Sequence, residues 1–400
     1  MSRDLIKNFI TAFLVRGPFA LSVFYISITQ YKYFSSSEII LLGEILSFSV
    51  IFSILFLQPL GNIFNKTIPS LVDESLKSFA NAGLIILVLF FPIFFILPSL
   101  YFKNFIFFYI SLAVAQASFQ WALSYLTVKD IKQTLISVSL VMSGILFLIA
   151  HFFFEFEGLS LKHWLSVIII SYLIPSSIIL FPLLNFKFLK DFKFLFIDLL
   201  KKFLSAASFY SILSLIFWLV EFYPRLVDSF GNEFITNFNV YMTISIGLVG
   251  AIDIGISQIF LKDYLKLVET NRVLFKSFFI RLIKFYFIVY IVIFLVLIIL
   301  KDYYWNWFFD NTRFNNLEMF GFIFIVEICR IMCFHSYNVF YYLNKIKDIQ
   351  NSIILLCLSS SLLLLMSYLE VIDGIQYLTL FLILLCVILS YNLFKVNKIL

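Results

Sequence analysis

The 400 residues are 62% hydrophobic and only 13% charged, with 54 phenylalanines and a formal net charge of +6. Soluble domains carry about 25% charge, so this chain cannot dress an aqueous surface, and a soluble enzyme or nucleic-acid-binding protein is excluded. The positive excess reads as basic cytoplasmic loops.

Apolar stretches of about 20 residues, long enough to cross the hydrocarbon, recur from end to end. Backbone groups in lipid must be satisfied internally, and the alternation of barrel strands is absent, so the spans are expected to be helices. The expected fold class is all-α, a polytopic membrane protein of roughly twelve transmembrane helices. The spans centre near residues 19, 48, 89, 115, 142, 175, 213, 247, 288, 329, 360 and 384.

Arg3 and Lys7 precede the first span without a small-residue cleavage site, which predicts an uncleaved first helix. Asn8, Thr11, Pro18, Ser22, Tyr25 and Thr29 share one face of it, with Arg16 at the edge. Arg16 either lines a cavity, where Gly17-Pro18 loosens the helix, or snorkels to the headgroups. Ser37-Glu38 opens the second span as N-cap and first-turn acid, and Glu44 lies embedded within it. Residues 61–67 superficially match a phosphate-binding loop, but Asn65 replaces its second glycine and no strand precedes it. In the fourth span Gln116, Gln120, Ser124 and Thr127 form a polar stripe, either interhelical glue or a substrate contact.

After six spans, residues 187–202 carry Lys187, Lys190, Lys193, Lys201 and Lys202 among Phe and Leu, the pattern of an interfacial amphipathic helix. This connection is expected to divide an N-terminal six-helix bundle, 1–186, from a C-terminal one, 203–400. Ser37-Glu38 and Asn232-Glu233 open equivalent spans 195 residues apart, as in the parallel repeats of transporters.

The seventh span ends on Glu221, Pro224 and Arg225, close enough to form a rim salt bridge. The eighth reads Thr243, Ser245, Gly247, Gly250, Asp253, Gly255, Ser257, Gln258, with glycines that predict close helix packing. Asp253 there either holds a coupling ion or pairs with Lys262. In the tenth span Glu327 and Arg330 stand three apart, with His335, Asn338 and Tyr341 further along. These charges either line a water-filled cavity or neutralise one another as a structural pair.

The four cysteines fall in apolar spans and read as packing residues. His151, His163 and His335 lack metal-ligand spacing. No metal, cofactor or catalytic residue is expected. With both termini cytoplasmic, 21 of the 29 Lys and Arg lie inside and 5 outside, while Arg16, Arg225 and Arg330 are embedded or at a rim.

The opening segment, Leu14-Val-Arg16-Gly17-Pro18 through Ser37-Glu38 to Gln58-Pro-Leu-Gly61-Asn62, and Trp218-Leu-Val-Glu221-Phe-Tyr-Pro224-Arg225 with Asn239-Val-Tyr241 carry a resemblance. Together with the twelve-span layout they resemble the polysaccharide-unit (O-antigen or lipid-linked oligosaccharide) flippases. That family belongs to the multidrug/oligosaccharidyl-lipid/polysaccharide exporter superfamily, which also contains multidrug and toxin extrusion transporters. The resemblance implies two six-helix bundles around a central cavity that opens alternately to either side. The implied cargo is an undecaprenyl-pyrophosphate-linked oligosaccharide for surface polysaccharide such as lipopolysaccharide. Arg16, Arg330 and Arg225 would bind its head group, with Gln116 and Gln120 as further contacts, and Asp253 or Glu327 would carry a coupling ion. The implied partners are membrane lipids, a glycan polymerase and glycosyltransferases, and the implied location is the bacterial cytoplasmic (inner) membrane. The alternative within transport is a cation-coupled exporter of small amphipathic molecules. A third reading, a glycan polymerase or ligase, needs a large outer loop that this chain lacks.

Overall fold

The computed structural model describes residues 34–52, 105–128, 160–180, 197–201, 213–220, 223–225, 230–270, 272–299, 316–343 and 345–399, with a few isolated helical positions, among them most of 141–149. Every regular element among them is helical: α1 Ser36–Phe52, α2 Ile106–Val128, α3 Leu161–Leu180, α4 Asn232–Thr270, α5 Arg272–Ile299, α6 Leu317–Tyr342, α7 Gln350–Tyr368 and α8 Gly374–Ile399. Short 3-10 turns occupy Tyr223–Arg225 and Ile346–Ile349. The expected span centres at 48, 115, 142, 175, 213, 247, 288, 329, 360 and 384 all fall on helical residues. Those at 19 and 89 lie outside the described residues, as does the 187–202 connection apart from 197–201, which is helical.

Four described helical segments are long and apolar enough to cross a bilayer: Leu161–Ile179, Leu274–Ile299, Lys347–Tyr368 and Gly374–Lys398. Helix α4, at 39 residues, is about 58 Å long at 1.5 Å per residue. That exceeds the hydrocarbon thickness, so its end beyond Lys262 projects past the apolar layer.

The start of α1 corrects one expectation. Its N-cap is Ser35, not Ser37: the Ser35 carbonyl accepts the first helical bond, from Ile39 N–H at 3.0 Å. The Ser35 N–H donates to Glu38 Oε2 at 2.9 Å while Glu38 N–H donates to Ser35 Oγ at 3.4 Å. This reciprocal pair requires a spacing of three, which Ser35 has and Ser37 lacks. Likewise α4 is capped by Gly231, one residue before Asn232. Its carbonyl accepts from Ile235 N–H at 3.1 Å, and its φ of +80° is a conformation that favours glycine.

The chain divides into two compact units, one running up to Ile40 and resuming at Leu219, the other Leu41–Trp218. In the Leu41–Trp218 unit, polar bonds join α1 to its neighbours. The Trp218 indole N–H donates to the Ser47 carbonyl at 2.9 Å and the Tyr109 hydroxyl to the Phe48 carbonyl at 3.3 Å. Phe119 of α2 packs on Tyr172 of α3, ring centroids 5.2 Å apart.

In the other unit α6 is the central helix, packed against α4, α5, α8 and the Ile346–Ile349 turn. Its residues are buried on nearly every side, as expected of a helix without a lipid face. Helix α5 shows the opposite pattern. Leu274, Ile288, Ile291, Val292 and Leu295 are exposed, while Phe275, Phe279, Ile283, Tyr286 and Tyr290 are buried at helical spacing. One face therefore meets acyl chains and the other turns two tyrosines inward. Interhelical bonds fix α6 in register: Asn392 Nδ2 of α8 donates to Ser336 Oγ at 3.0 Å, and the Tyr337 and Ser352 hydroxyls share a bond of 2.6 Å. The close-approach glycine here is Gly374, where an added Cβ would overlap the Phe234 ring.

Candidate functional site

The charges of α6 sort into two pairs. Glu327 is completely buried, and the guanidinium of Arg330 closes on it. Arg330 Nε donates to Glu327 Oε2 at 2.9 Å and Nη2 donates to Oε1. The i,i+3 spacing brings both groups to one face, and the paired donors suit the planar fork of arginine. The carboxylate expected to carry an ion and the guanidinium expected to hold a pyrophosphate are thus engaged with one another.

The second pair joins two helices. His335 Nε2–H of α6 donates to Asp253 Oδ1 of α4 at 2.6 Å, and the Tyr286 hydroxyl of α5 donates to the same oxygen at 2.8 Å. The Tyr286 and His335 rings lie 5.0 Å apart, and Tyr290 stacks on Tyr286 at 5.9 Å. Tyr290 reaches the Val249 carbonyl at 3.4 Å and lies within the electrostatic reach of Asp253, Glu327 and Arg330. Three helices thus bring two acids, an arginine, a histidine and two tyrosines to one region of an otherwise apolar unit. The side chains of His335 and Asp253 retain 21% and 24% exposure, whereas Glu327 has none and Arg330 keeps 21%.

The glycines beside Asp253 correct another expectation. A Cβ at Gly247 or at Gly250 would meet nothing within 4 Å, so these residues do not mark close packing. Residues 247, 250 and 253 follow the three-residue row of the helix surface. Asp253 is bonded to His335 and Tyr286; the side chain of Lys262, its other expected partner, is outside the described residues.

The remaining predicted residues lie apart from this cluster. Arg225 is buried in the Tyr223–Arg225 turn with its guanidinium 6.0 Å from the Phe238 ring centroid, a cation–π distance. Its expected partner, Glu221, lies outside the described residues. Gln116 Oε1 of α2 accepts from Ser49 Oγ of α1 at 3.2 Å, an interhelical bond. Arg16 and the Gln120 side chain lie outside the described residues. Among the described residues no three His, Cys, Asp or Glu side chains converge on a metal position. The residue that sequence reasoning undervalued is His335. It was noticed beside the polar face of α6, but its partner is 82 residues away on another helix.

No family model matches the chain, and no curated protein matches it. Solved structures do. A Vibrio cholerae MATE transporter, VcmN, crystallised as a mutant, superposes with a TM-score of 0.57 at 14% identity, over 99% of this chain and 98% of that one. A MATE transporter in complex with MaL6 gives a TM-score of 0.64 at 11% identity, over 98% of this chain and 96% of that one. The fold is that of MATE transporters. These are twelve-helix membrane proteins of the superfamily that the sequence resembles. The chain is accordingly an all-α, multi-pass membrane protein.

Proposed function

We propose that this protein is a cation-coupled exporter of small amphipathic molecules, working by alternating access in the cytoplasmic membrane with both termini inside. The observation that carries the reading is Asp253, an embedded acid held by His335 and Tyr286 across three helices of a MATE fold. An ionisable group inside a membrane span is strongly unfavourable unless it is used, and the side chain of Asp253 keeps 24% of its surface exposed. The bidentate closure of Arg330 on Glu327 favours the exporter over the flippase, because that guanidinium is engaged by a carboxylate instead of being offered to a pyrophosphate. Placement of the termini is supported by the asymmetry of Lys and Arg along the chain.

Deletion of the gene tests this reading. Cells without the protein are expected to become sensitive to lipophilic cations such as ethidium, with surface glycan unchanged. Wild-type protein restores resistance and Asp253→Asn does not. Accumulation of lipid-linked oligosaccharide with unaltered drug sensitivity overturns the proposal.

A further inference from the structure

We infer that the cavity between the end of α5 and the start of α6 is a binding site, open to the bilayer, for an amphipathic aromatic cation. The inference rests on the exporter reading for the class of ligand and adds a place on the protein where that class binds.

The cavity encloses about 300 Å³, the lower end of the range of small-molecule sites, about 300–1,000 Å³. Its walls include Phe294 and Leu297 of α5 and Phe320, Gly321 and Phe322 of α6, and Glu318 is the one charged residue among those lining it. Ile298 and Ile325 also line it and are exposed. Ile298 continues the exposed stripe of Ile291 and Leu295, so the cavity opens on the face of α5 that meets acyl chains. Phe294 stands eight residues beyond Tyr286, about 12 Å along the helix, which separates this site from the Asp253 cluster.

The aromatic wall is braced from behind. Phe294 stacks on Phe324 with ring centroids 5.6 Å apart, Phe324 meets Phe320 at 6.1 Å, and Phe320 meets Tyr241 of α4 at 5.8 Å. Phe320, Phe324 and Tyr241 are buried, so the rings hold their places and a ligand orders little on binding. A Cβ at Gly321 would come within 3.3 Å of the Phe294 ring, so a larger residue there would intrude on this wall.

Glu318 sets the charge of the occupant. It is exposed in the first turn of α6, and no basic side chain forms an ion pair with it among the described residues. A first-turn acid complements the helix dipole, but that role does not require an aromatic cavity beside it. A carboxylate next to ring faces attracts a delocalised organic cation both by charge and by cation–π contact. The same carboxylate repels the phosphate of a phospholipid, a like-charge cost that discriminates between the two. An acyl chain alone gains nothing from it.

Photolabelling locates the site. Purified protein in nanodiscs is irradiated with an azido derivative of tetraphenylphosphonium, and the adducts are mapped by mass spectrometry. Labelling is expected on residues 294–298 and 317–325 and is suppressed by excess unlabelled tetraphenylphosphonium. Glu318→Gln is expected to weaken it about twofold to fivefold, the size of an exposed ion pair. Leu297→Trp is expected to weaken it about tenfold by filling the apolar space. Should Leu297→Trp fold poorly, wild-type protein and an azido tetraphenylmethane, uncharged and of similar shape, replace it; this probe is expected to label the segments weakly. Adducts confined to other segments, labelling indifferent to Glu318→Gln, or equal labelling by the uncharged probe, which would mark a seat for acyl chains, overturns the inference. Each of those results leaves amphipathic export untouched. Adducts at this site in a protein whose deletion leaves drug sensitivity unaltered would overturn export while the site stood.

Discussion

Midway along α6 the carboxylate of Glu327 and the guanidinium of Arg330 satisfy each other within one turn, whereas further along His335 reaches off the helix to Asp253 on α4 and shares it with Tyr286 of α5. A pair closed on its own helix keeps its geometry however its neighbours move. A pair between helices is made or broken by their movement. The first arrangement suits a structural element, and the second suits a sensor. Burial separates the two acids, since Glu327 is inaccessible while Asp253 keeps about a quarter of its surface; Arg330 and His335 each keep about a fifth.

Three substitutions sharpen the contrast. The largest effect is expected from Glu327→Gln, which removes the carboxylate closed on Arg330; breaking a fully buried pair costs about 3–5 kcal/mol, and the one-fifth exposure of Arg330 brings the cost toward the lower end. Thermal unfolding in detergent should show a large drop, and converting both residues to leucine should recover most of it. Recovery by the pair of leucines with export intact would confirm a structural role. Arg330→Lys is expected to be milder, about 1–2 kcal/mol, because an ammonium keeps the charge but loses the paired donors. Its pH–export profile should match that of wild type, and a displaced profile would merge the two pairs into one unit. Smallest in stability is Tyr286→Phe, about 1 kcal/mol for one hydrogen bond. Although small, it removes the phenol donor on Asp253 Oδ1, so its pH–export profile should move while Arg330→Lys leaves that profile fixed. An unmoved profile for Tyr286→Phe would break the comparison.

The same contrast explains what was legible in the sequence. Helix positions followed from runs of apolar residues, which need only local information. Glu327 and Arg330 were visible as a pair because three residues on a helix is a contact. The bond from His335 to Asp253 spans 82 residues, and no local period encodes which face of α4 meets which face of α6. Gly247 and Gly250 misled for a related reason. A glycine's composition signal is identical whether its missing side chain admits a neighbouring helix or leaves a gap, and only the packed structure distinguishes them. At the helix ends the error was one of register: Ser35, Ser36 and Ser37 are all suitable caps, and the reach of Glu38 selected the first.

The length of α4 has a mechanical consequence. Asp253 sits 17 residues before the end of the helix at Thr270, an arm of about 26 Å. A tilt of about ten degrees around the carboxylate would swing that tip by roughly 4–5 Å. A spin label near residue 270 would thus serve as a pointer, magnifying at the membrane surface a small rearrangement at a carboxylate deep among the helices.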